Sequence, residues 1–253
     1  MKAMILAAGR GERMRPLTDH TPKPLLKVGG KSLIVWHLER LAAAGFTEIV
    51  INHAHLGEQI EQALGNGAQW GVSIQYSAEK IALETAGGIA NALHLLTDNG
   101  KNNAPFLVVN GDIFTEFNFS NVIKNTHIGS DALQANIHEA CRGIKNARAH
   151  LVLVNNPPQH PNGDFAIEPV NEKQGLLKNT DTKNSTGMLT FSGVGVYQPE
   201  FFADVVIGQP AKLAPLLRKA IGENAATAQY FGGVWHDIGT PERLKDLDEY
   251  LNN

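Results

Sequence analysis

A glycine-rich, basic segment follows the first apolar run of the chain. Gly9 and Gly11 are interspersed here with Arg10, Arg13 and Arg15. Glycine allows backbone N–H groups to approach an anion closely, and guanidinium groups bind phosphate oxygens. Arginines this close together repel one another unless an anion neutralises them. The segment therefore predicts a phosphate-binding loop, with a ligand-free strand-to-helix turn as the alternative.

Two short motifs that bind phosphate in other folds are incomplete in this chain. A dinucleotide-binding fingerprint needs a third glycine where Met14 stands, and Pro16 disfavours the start of a helix there. The run from Gly29 to Ser32 ends like a P-loop, but Leu25 occupies the position of the required first glycine. These departures count against a dinucleotide-dependent oxidoreductase and against a P-loop protein.

Two aspartates and one lysine are the other candidate chemical groups. Asp112 follows a predicted strand, and Asp237 lies in the apolar run 234–238, so both carboxylates can reach the ligand edge of one sheet. Lys23 lies between two prolines that restrict its backbone. The alternatives are aspartates that cap turns beside glycine and a solvated surface lysine.

Short apolar runs alternate with longer runs of helical periodicity in the part of the chain that carries most of these groups. Short, nearly all-apolar strands are typical of a parallel sheet covered by helices on both faces. We therefore predict a doubly wound, mostly parallel, Rossmann-like α/β fold with a smaller lobe. Strands are expected at 3–7, 48–52, 72–76 and 106–110, and helices at 32–44, 56–64 and 87–96. Ser32 is the expected N-cap of the first helix, and Gly45 its end.

The pattern loosens after Asp112 and becomes regular again near the end of the chain. Residues 127–184 are rich in Asn, Gly and Pro, and we expect a loop or insertion at 129–147. Thr240 is the expected N-cap of the last helix. The predicted strands of this half are 150–154, 165–170, 188–197 and 234–238, and its predicted helices are 213–221 and 241–251.

Composition excludes several classes of protein. The formal net charge is -3 and no run of Lys or Arg occurs, so we expect no nucleic-acid partner. No apolar run reaches the ~18 to 20 residues that span a bilayer, so we expect no membrane partner. The single cysteine, Cys141, cannot form an internal disulfide, which favours a cytoplasmic protein. We expect a monomer or a small homo-oligomer.

Several motifs of the chain resemble those of the sugar-1-phosphate nucleotidyltransferases. The glycine loop, Arg13 and Lys23 occur at that family's spacing, and the resemblance spans nearly the whole chain. The segments that carry it are 4–9 (MILAAG), 16–18 (PLT), 22–26 (PKPLL), 84–88 (ETAGG), 110–112 (NGD) and 235–240 (WHDIGT).

This resemblance implies a reaction in which a sugar 1-phosphate attacks a nucleoside triphosphate and pyrophosphate leaves. It assigns Mg²⁺ to Asp112 and Asp237, the leaving phosphates to Arg13 and the α-phosphoryl group to Lys23. It also implies a single nucleotidyltransferase domain over residues 1–253. Its nucleotide-binding half is expected at 1–115, and its sugar-binding half, with the second metal ligand, at 116–253.

The resemblance also implies two sets of binding residues. The nucleotide set is Leu6, Ala8, Gly9, Gly11, Glu12, Arg13, Lys23, Glu79, Gly87, Gly88 and Asn110. The sugar set is Asn110, Asp164, Glu168, Ser192 and Lys212. Two positions depart from the family pattern: Glu79 stands near the place of a common glutamine, and Glu168-Pro169 lacks the lysine of a Glu-Lys-Pro triplet. Lys212 is a candidate to replace that lysine. Close helix packing is the alternative role of Gly87 and Gly88.

A narrower set of runs is similar to the uridylyltransferases of cell-wall sugar recycling, whose substrates are UTP and N-acetylmuramate α-1-phosphate. These runs are 51–54 (INHA), 83–85 (LET), 110–112 (NGD), 163–165 (GDF), 190–193 (TFSG) and 212–218 (KLAPLLR). Because the chain ends soon after its last predicted helix, we expect no C-terminal β-helix domain.

Three alternatives remain open. Mannose-1-phosphate guanylyltransferases and glucose-1-phosphate thymidylyltransferases perform the same chemistry on other partners. A non-catalytic sugar-nucleotide-binding regulatory subunit is expected to lack one of the charges needed for turnover. Arg13, Lys23, Asp112 and Asp237 are all present, which favours an enzyme.

Overall fold

A computed structural model of the chain describes residues 1–125, 147–170, 174–180 and 187–252. The strands are β1 Ala3–Leu6, β2 Lys27–Val28, β3 Lys31–Ser32, β4 Glu48–His53, β5 Ser73–Ala78, β6 Phe106–Asn110, β7 Ile113–Thr115, β8 Ala149–Val154, β9 Phe165–Pro169, β10 Gln174–Lys178, β11 Met188–Tyr197, β12 Ala226–Tyr230 and β13 Trp235–Asp237. The α-helices are α1 Leu33–Ala43, α2 Gly57–Leu64, α3 Glu84–Leu96, α4 Ser120–Asn125, α5 Leu213–Gly222 and α6 Pro241–Asn252.

The main sheet has nine strands in the order β5-β4-β1-β6-β11-β8-β12-β10-β9. Its first four strands are parallel. Further along, the sheet is mixed: β11 runs antiparallel to both β6 and β8, and β12 is parallel to β8. Strands β4 and β5 lie on one side of β1 and β6 lies on the other. The chain therefore changes direction across the sheet at β1, and ligands of open α/β sheets bind at the carboxyl ends of such strands.

Helices cover both faces of this sheet because each presents one apolar stripe to it. On one face Ile34 and Leu38 of α1 pack with Ile60 of α2. On the other face Ile89 of α3 and Leu217 of α5 belong to the second core cluster. Burying each such side chain stabilises the fold by ~1.5 to 3 kcal/mol. Within the described ranges, no helix has the length and apolar character needed to cross a membrane.

The predicted fold class is confirmed, and the predicted strands and helices that lie in described residues are found within a few positions of their expected ends. Helix α3 begins at Glu84, three residues before the predicted start. Ser32 precedes α1 but its side chain makes no capping hydrogen bond, whereas Gly45, with φ +89°, follows the end of that helix as expected. Of the predicted insertion at 129–147, residues 129–146, which include Cys141, lie outside the described residues.

The strand around Asp237 belongs to a different sheet from the one expected. β13 pairs antiparallel with β7 in a separate two-stranded sheet, so the expectation of a single sheet edge was wrong. Asp112 lies between β6 and β7, and the short β7 was not predicted. The two carboxylates are therefore brought together by the pairing of β7 with β13, which joins residues far apart in the chain.

Candidate active site

A cavity of about 340 Å³ opens at the carboxyl ends of β1 and β6. The loop that precedes α3 forms its opposite wall. Its lining residues are Leu6, Ala7, Ala8, Gly9, Lys23, Pro24, Asn52, Ala82, Leu83, Glu84, Thr85, Asn110, Gly111 and Asp112. The walls combine backbone groups and apolar atoms with one cation, Lys23, and two carboxylates, Glu84 and Asp112. This combination suits a ligand that has a flat apolar part and phosphates that a cation or a metal can bind.

The glycine loop is shaped for this position. Gly11 has φ +68°, and a Cβ added there would lie 2.9 Å from Thr18 Cγ2. The Thr18 hydroxyl donates a hydrogen bond to the Gly11 carbonyl oxygen at 2.9 Å, which holds the turn closed. A Cβ added to Gly9 would meet no atom within 4 Å, so the Gly9 backbone is open to a ligand. The loop therefore combines a required left-handed turn with an accessible stretch of backbone.

The three arginines of this loop differ in their surroundings. Arg10 lies 3.5 Å from a carboxylate oxygen of Glu12, and Arg15 lies 2.5 Å from one of Asp19. Arg13 is exposed and makes no ion pair with any described residue. Its guanidinium group lies beside Gly239, where an added Cβ would be 3.1 Å from Arg13 Nη2. Arg13 is therefore the loop arginine whose charge is free to meet an anion.

Lys23 and Asp112 form an ion pair in the cavity wall. Lys23 Nζ lies 2.6 Å from Asp112 Oδ2. The lysine side chain is 8% exposed and the aspartate side chain 42%, so the lysine is fixed and the carboxylate faces open space. The ordinary alternative of a solvated surface lysine does not apply, because this one is buried.

The ladder between β7 and β13 brings Asp237 next to Asp112. Asp237 pairs with Ile113, and the Ile238 N–H donates to the Asp112 carbonyl oxygen at 2.9 Å. Both carboxylates line a second cavity of about 220 Å³. Asn110 and Asp112 line both cavities, so the two spaces meet at these residues.

Each aspartate has one oxygen bound to a cation and one oxygen without a partner among the described residues. Asp237 Oδ2 accepts a close hydrogen bond from Arg243 Nη1, as Asp112 Oδ2 does from Lys23. The described chain holds no cluster of three or more metal-ligating side chains. Two carboxylates with free oxygens on one cavity fit a hard cation such as Mg²⁺, which takes its remaining ligands from water and phosphate.

A buried hydrogen-bond network supports the wall of the larger cavity. Asn52 accepts from the Ala7 N–H at 3.0 Å and donates to Glu79 Oε1 at 2.6 Å. Glu79 Oε2 accepts from the Leu83 N–H at 2.9 Å. A Cβ on Gly88 would lie 2.7 Å from Glu79 Oε1, so glycine is needed for this packing. The network ties the ends of β1, β4 and β5 to the loop before α3.

Gly87 has a packing role of the same kind. Its N–H donates to the Ala211 carbonyl oxygen at 3.1 Å, and an added Cβ would lie 2.5 Å from the Gln209 carbonyl oxygen. The close helix packing considered for Gly87 and Gly88 therefore occurs. Neither glycine is among the lining residues of the 340 Å³ cavity.

Comparisons with known proteins agree with this geometry. The sequence profile described as nucleotidyl transferase matches residues 2–151. The chain is 52% identical over 247 residues to an N-acetylmuramate alpha-1-phosphate uridylyltransferase of Neisseria meningitidis serogroup B, which covers 97% of this chain and 96% of that protein. The chain belongs to the nucleotidyl transferase family. The resemblance seen in its motifs is thereby confirmed.

More distant proteins are similar over less of the sequence or only in fold. A mannose-1-phosphate guanylyltransferase catalytic subunit beta of Danio rerio is 38% identical over 125 residues, which is 49% of this nucleotidyltransferase and 34% of that protein. The crystal structure of apo UDP-glucose pyrophosphorylase aligns with 100% of this chain and 98% of that one at a TM-score of 0.71. At 16% identity this similarity shows the fold alone.

Three of the sugar-binding candidates of this nucleotidyltransferase lie at or beside the 220 Å³ cavity. Asn110 and Ser192 line it, and the Ser192 hydroxyl is already bound to the Val152 carbonyl oxygen at 2.7 Å. Asp164 accepts from the Phe191 N–H at 2.8 Å and so braces a lining residue. The Asn110 side-chain amide has no partner among the described residues and stays available for a ligand.

The other two sugar candidates are not among the residues that line this cavity. Glu168 pairs with Lys178 at 2.8 Å. A lysine therefore lies beside that glutamate, but it comes from β10 and not from a Glu-Lys-Pro triplet. Lys212 is exposed and precedes α5, and its neighbour Ala211 contacts the first turn of α3. The nucleotide candidate Glu12 is exposed and pairs with Arg10 at the rim of the loop.

Several residues of the nucleotidyltransferase site were not singled out from the sequence. Arg243 binds Asp237, Asn52 lines the larger cavity, and Gln159 and His160 line the smaller one. The one local signal was the position of Arg243, a cation in the first turn of α6, where the helix dipole disfavours positive charge. The others follow no spacing rule, because each depends on contacts between distant segments.

Proposed function

We propose that this nucleotidyltransferase transfers a uridylyl group from UTP to N-acetylmuramate α-1-phosphate, with release of pyrophosphate and formation of UDP-N-acetylmuramate. The observation that carries the proposal is the similarity to the Neisseria meningitidis uridylyltransferase over nearly the full length of both chains. The guanylyltransferase similarity covers only about half of this chain. UTP is an intracellular metabolite, so the proposed reaction takes place in the cytoplasm.

In this reaction a phosphate oxygen of the sugar phosphate attacks the α-phosphorus of UTP. The bond between the α-phosphorus and the bridging oxygen breaks, and its electron pair leaves with pyrophosphate. No protein nucleophile is needed, so positioning and electrostatic stabilisation account for the catalysis. Lys23 is the proposed partner of the α-phosphoryl group, because its buried ammonium group lies in the cavity wall. Arg13 is the proposed partner of the leaving phosphates.

We further propose that Asp112 and Asp237 hold Mg²⁺ through their free oxygens. A bound Mg²⁺ neutralises phosphate charge and orients the two phosphate groups for in-line attack. The ion pairs with Lys23 and Arg243 hold one oxygen of each carboxylate and leave the other oxygen for the metal.

In this proposal each of the two cavities binds one substrate. The nucleotide occupies the 340 Å³ cavity, bounded largely by residues 1–115, and the sugar phosphate occupies the 220 Å³ cavity, to which residues 116–253 contribute most. Asn110 lies between them and is a proposed contact for both substrates. The backbone groups of Leu6 and Ala8 are the proposed readers of the base. Glu79 and Gly88 support that wall through the network with Asn52.

A pyrophosphate-release assay tests the proposed function. The purified chain is incubated with each common nucleoside triphosphate and with a panel of sugar 1-phosphates, with Mg²⁺ and with EDTA. We expect the highest rate with UTP and N-acetylmuramate α-1-phosphate, and loss of that rate in EDTA. A preference for GTP with mannose 1-phosphate, or for dTTP with glucose 1-phosphate, would replace the assigned substrates. Absence of turnover with every pair would favour a regulatory binding subunit.

A further inference from the structure

Arg243 extends from the first turn of α6 back toward the end of β13. Its Nη1 binds Asp237 Oδ2, and its side chain is 20% exposed. The helix begins beside Thr240, whose hydroxyl accepts from the Arg243 N–H at 3.4 Å. A cation in this turn is opposed by the helix dipole, so the dipole does not account for an arginine here. The contacts of its guanidinium group explain the arginine better.

A second guanidinium group approaches the same point from the glycine loop. A Cβ on Gly239 would lie 3.1 Å from Arg13 Nη2 and closer still to Arg243 Nη2. Arg13 and Arg243 therefore face each other across the space that a side chain at position 239 would fill. Glycine at this position is what permits two long cationic side chains to converge.

The convergence leaves positive charge without a counter-ion. Among the described residues, Arg243 pairs with Asp237 and Arg13 pairs with none. Two guanidinium groups this close repel each other, and a shared anion removes the repulsion. Paired planar donor groups match the several oxygens of a phosphate chain.

We propose that Arg243 is a second arginine for the leaving group, and that Arg13 and Arg243 form a clamp for pyrophosphate over Gly239. The inference rests on the proposed pyrophosphate-releasing reaction, but on neither the base nor the sugar assigned above. As the bond from the α-phosphorus to the bridging oxygen breaks, the negative charge that develops on the β-phosphate is shared by the two guanidinium groups. No proton is transferred, because arginine remains protonated throughout.

Direct binding of pyrophosphate without metal is the decisive measurement. Isothermal titration of pyrophosphate in EDTA is made on the full chain, on Arg243→Gln and on Lys245→Gln. Lys245 is the matched control, since it is an exposed cation on the same helix. We expect Arg243→Gln to weaken pyrophosphate binding by about tenfold, the loss expected for a charge-assisted hydrogen bond, and Lys245→Gln to change it less than twofold.

Two further variants separate a clamp from a residue that only positions Asp237. Arg243→Lys keeps a cation for Asp237 but loses the planar pair of donors, so a clamp requires weaker pyrophosphate binding here as well. Gly239→Ala pushes the two guanidinium groups apart without replacing either arginine, and should also weaken binding. Gly222→Ala, where the added Cβ meets nothing within 4 Å, is its control. Thermal unfolding of each variant shows that it is folded.

The clamp is overturned if wild-type protein binds no pyrophosphate in EDTA. It is also overturned if Arg243→Gln and Arg243→Lys bind pyrophosphate like the wild type while the Mg²⁺ concentration for half-maximal activity rises. That second pattern would assign Arg243 to the positioning of Asp237. Failure of the proposed substrates would appear only in the substrate panel and would leave metal-free pyrophosphate binding unchanged.

Discussion

The ammonium group of Lys23 lies 2.6 Å from a carboxylate oxygen of Asp112, although 89 residues separate the two in the chain. Lys23, the proposed partner of the α-phosphoryl group, is thus paired with Asp112, a proposed Mg²⁺ ligand. Each holds the other in place at the point where the 340 Å³ and 220 Å³ cavities meet. Changes to either residue should therefore affect the reaction more than the fold.

Lys23→Met tests the cationic half of this pair. Methionine fills the buried space of the lysine stem but supplies no charge, so we expect turnover to fall by ~100-fold or more, as when one transition-state donor is lost. Pyrophosphate release measures the rate, and thermal unfolding measures stability. Lys27→Met, at an exposed lysine of β2, is the control and should keep its rate. A rate for Lys23→Met within threefold of wild type would remove Lys23 from the chemistry.

Asp112→Ala and Asp237→Ala test the proposed metal ligands. Each removes one carboxylate from the same cavity, so we expect loss of most turnover at all Mg²⁺ concentrations. The fold should persist, because both side chains are partly exposed. The control is Asp204→Ala, an exposed aspartate paired with Lys219 on the surface. Near-normal turnover in either site variant would show that its carboxylate is not a metal ligand of the reaction.

Gly193→Ala tests the support of Asn110. Gly193 has φ +81°, and an added Cβ would lie 2.8 Å from Asn110 Cγ. The left-handed backbone alone costs ~1 to 2 kcal/mol for alanine, and the contact should also displace the Asn110 amide. Gly208→Ala is a matched control, since Gly208 has φ +78° with nothing within 4 Å. We expect both variants to lose stability, but only Gly193→Ala to show weaker substrate binding in steady-state kinetics. Equal KM values in the two would contradict the role of Asn110.

Glu79→Gln tests the buried network. Both glutamate oxygens accept hydrogen bonds, from Asn52 Nδ2 and from the Leu83 N–H, and a glutamine amide would face one of these donors with another donor. A buried unsatisfied donor costs ~1 to 3 kcal/mol, so the denaturation midpoint should fall. Because Leu83 lines the 340 Å³ cavity proposed for the nucleotide, the KM for UTP should rise as well. Glu58→Gln, at an exposed glutamate of α2, should change neither value; a Glu79→Gln protein as stable as wild type would refute the network.

The stability of the protein should depend on the protonation of His37. Its ring is fully buried beside the Ile113 backbone, yet neither ring nitrogen has a partner in hydrogen-bond geometry among the described residues. Burial lowers the pKa of His37 from 6.5 to about 4. Between these values the unfolded chain binds a proton that the folded protein does not, so stability falls as pH decreases from 6.5 toward 4. The full loss is on the order of 3 kcal/mol.

His37→Leu should remove that dependence. Urea unfolding is measured at several pH values from roughly 7 to 4.5, a range that includes the pKa of histidine in the unfolded chain. The free energy of unfolding plotted against pH gives a slope for each protein. The wild type should lose stability over this range, and His37→Leu should lose much less. His20→Gln, at an exposed histidine, should follow the wild type. An identical slope in wild type and His37→Leu would show that His37 is not the group responsible.

The sequence by itself determined the elements and the chemical groups. Apolar periodicity predicts β1, β4, β5 and β6 and the helices between them, because a helix or strand with one buried face leaves that pattern locally. The glycine loop, Lys23, Asp112 and Asp237 were recognisable from their residue types and spacing. Each of these features depends only on residues that lie close together in the chain.

Only the tertiary structure decided which of these groups meet. The pairing of β7 with β13 brings Asp237 to Asp112, and it joins two strands of three residues that carry little periodic signal. The same folding brings Arg243 and Arg13 together over Gly239 and closes the network of Asn52 with Glu79. Contacts of this kind depend on how segments far apart in the chain pack against each other. The spacing of residues along the sequence does not predict which of these segments meet.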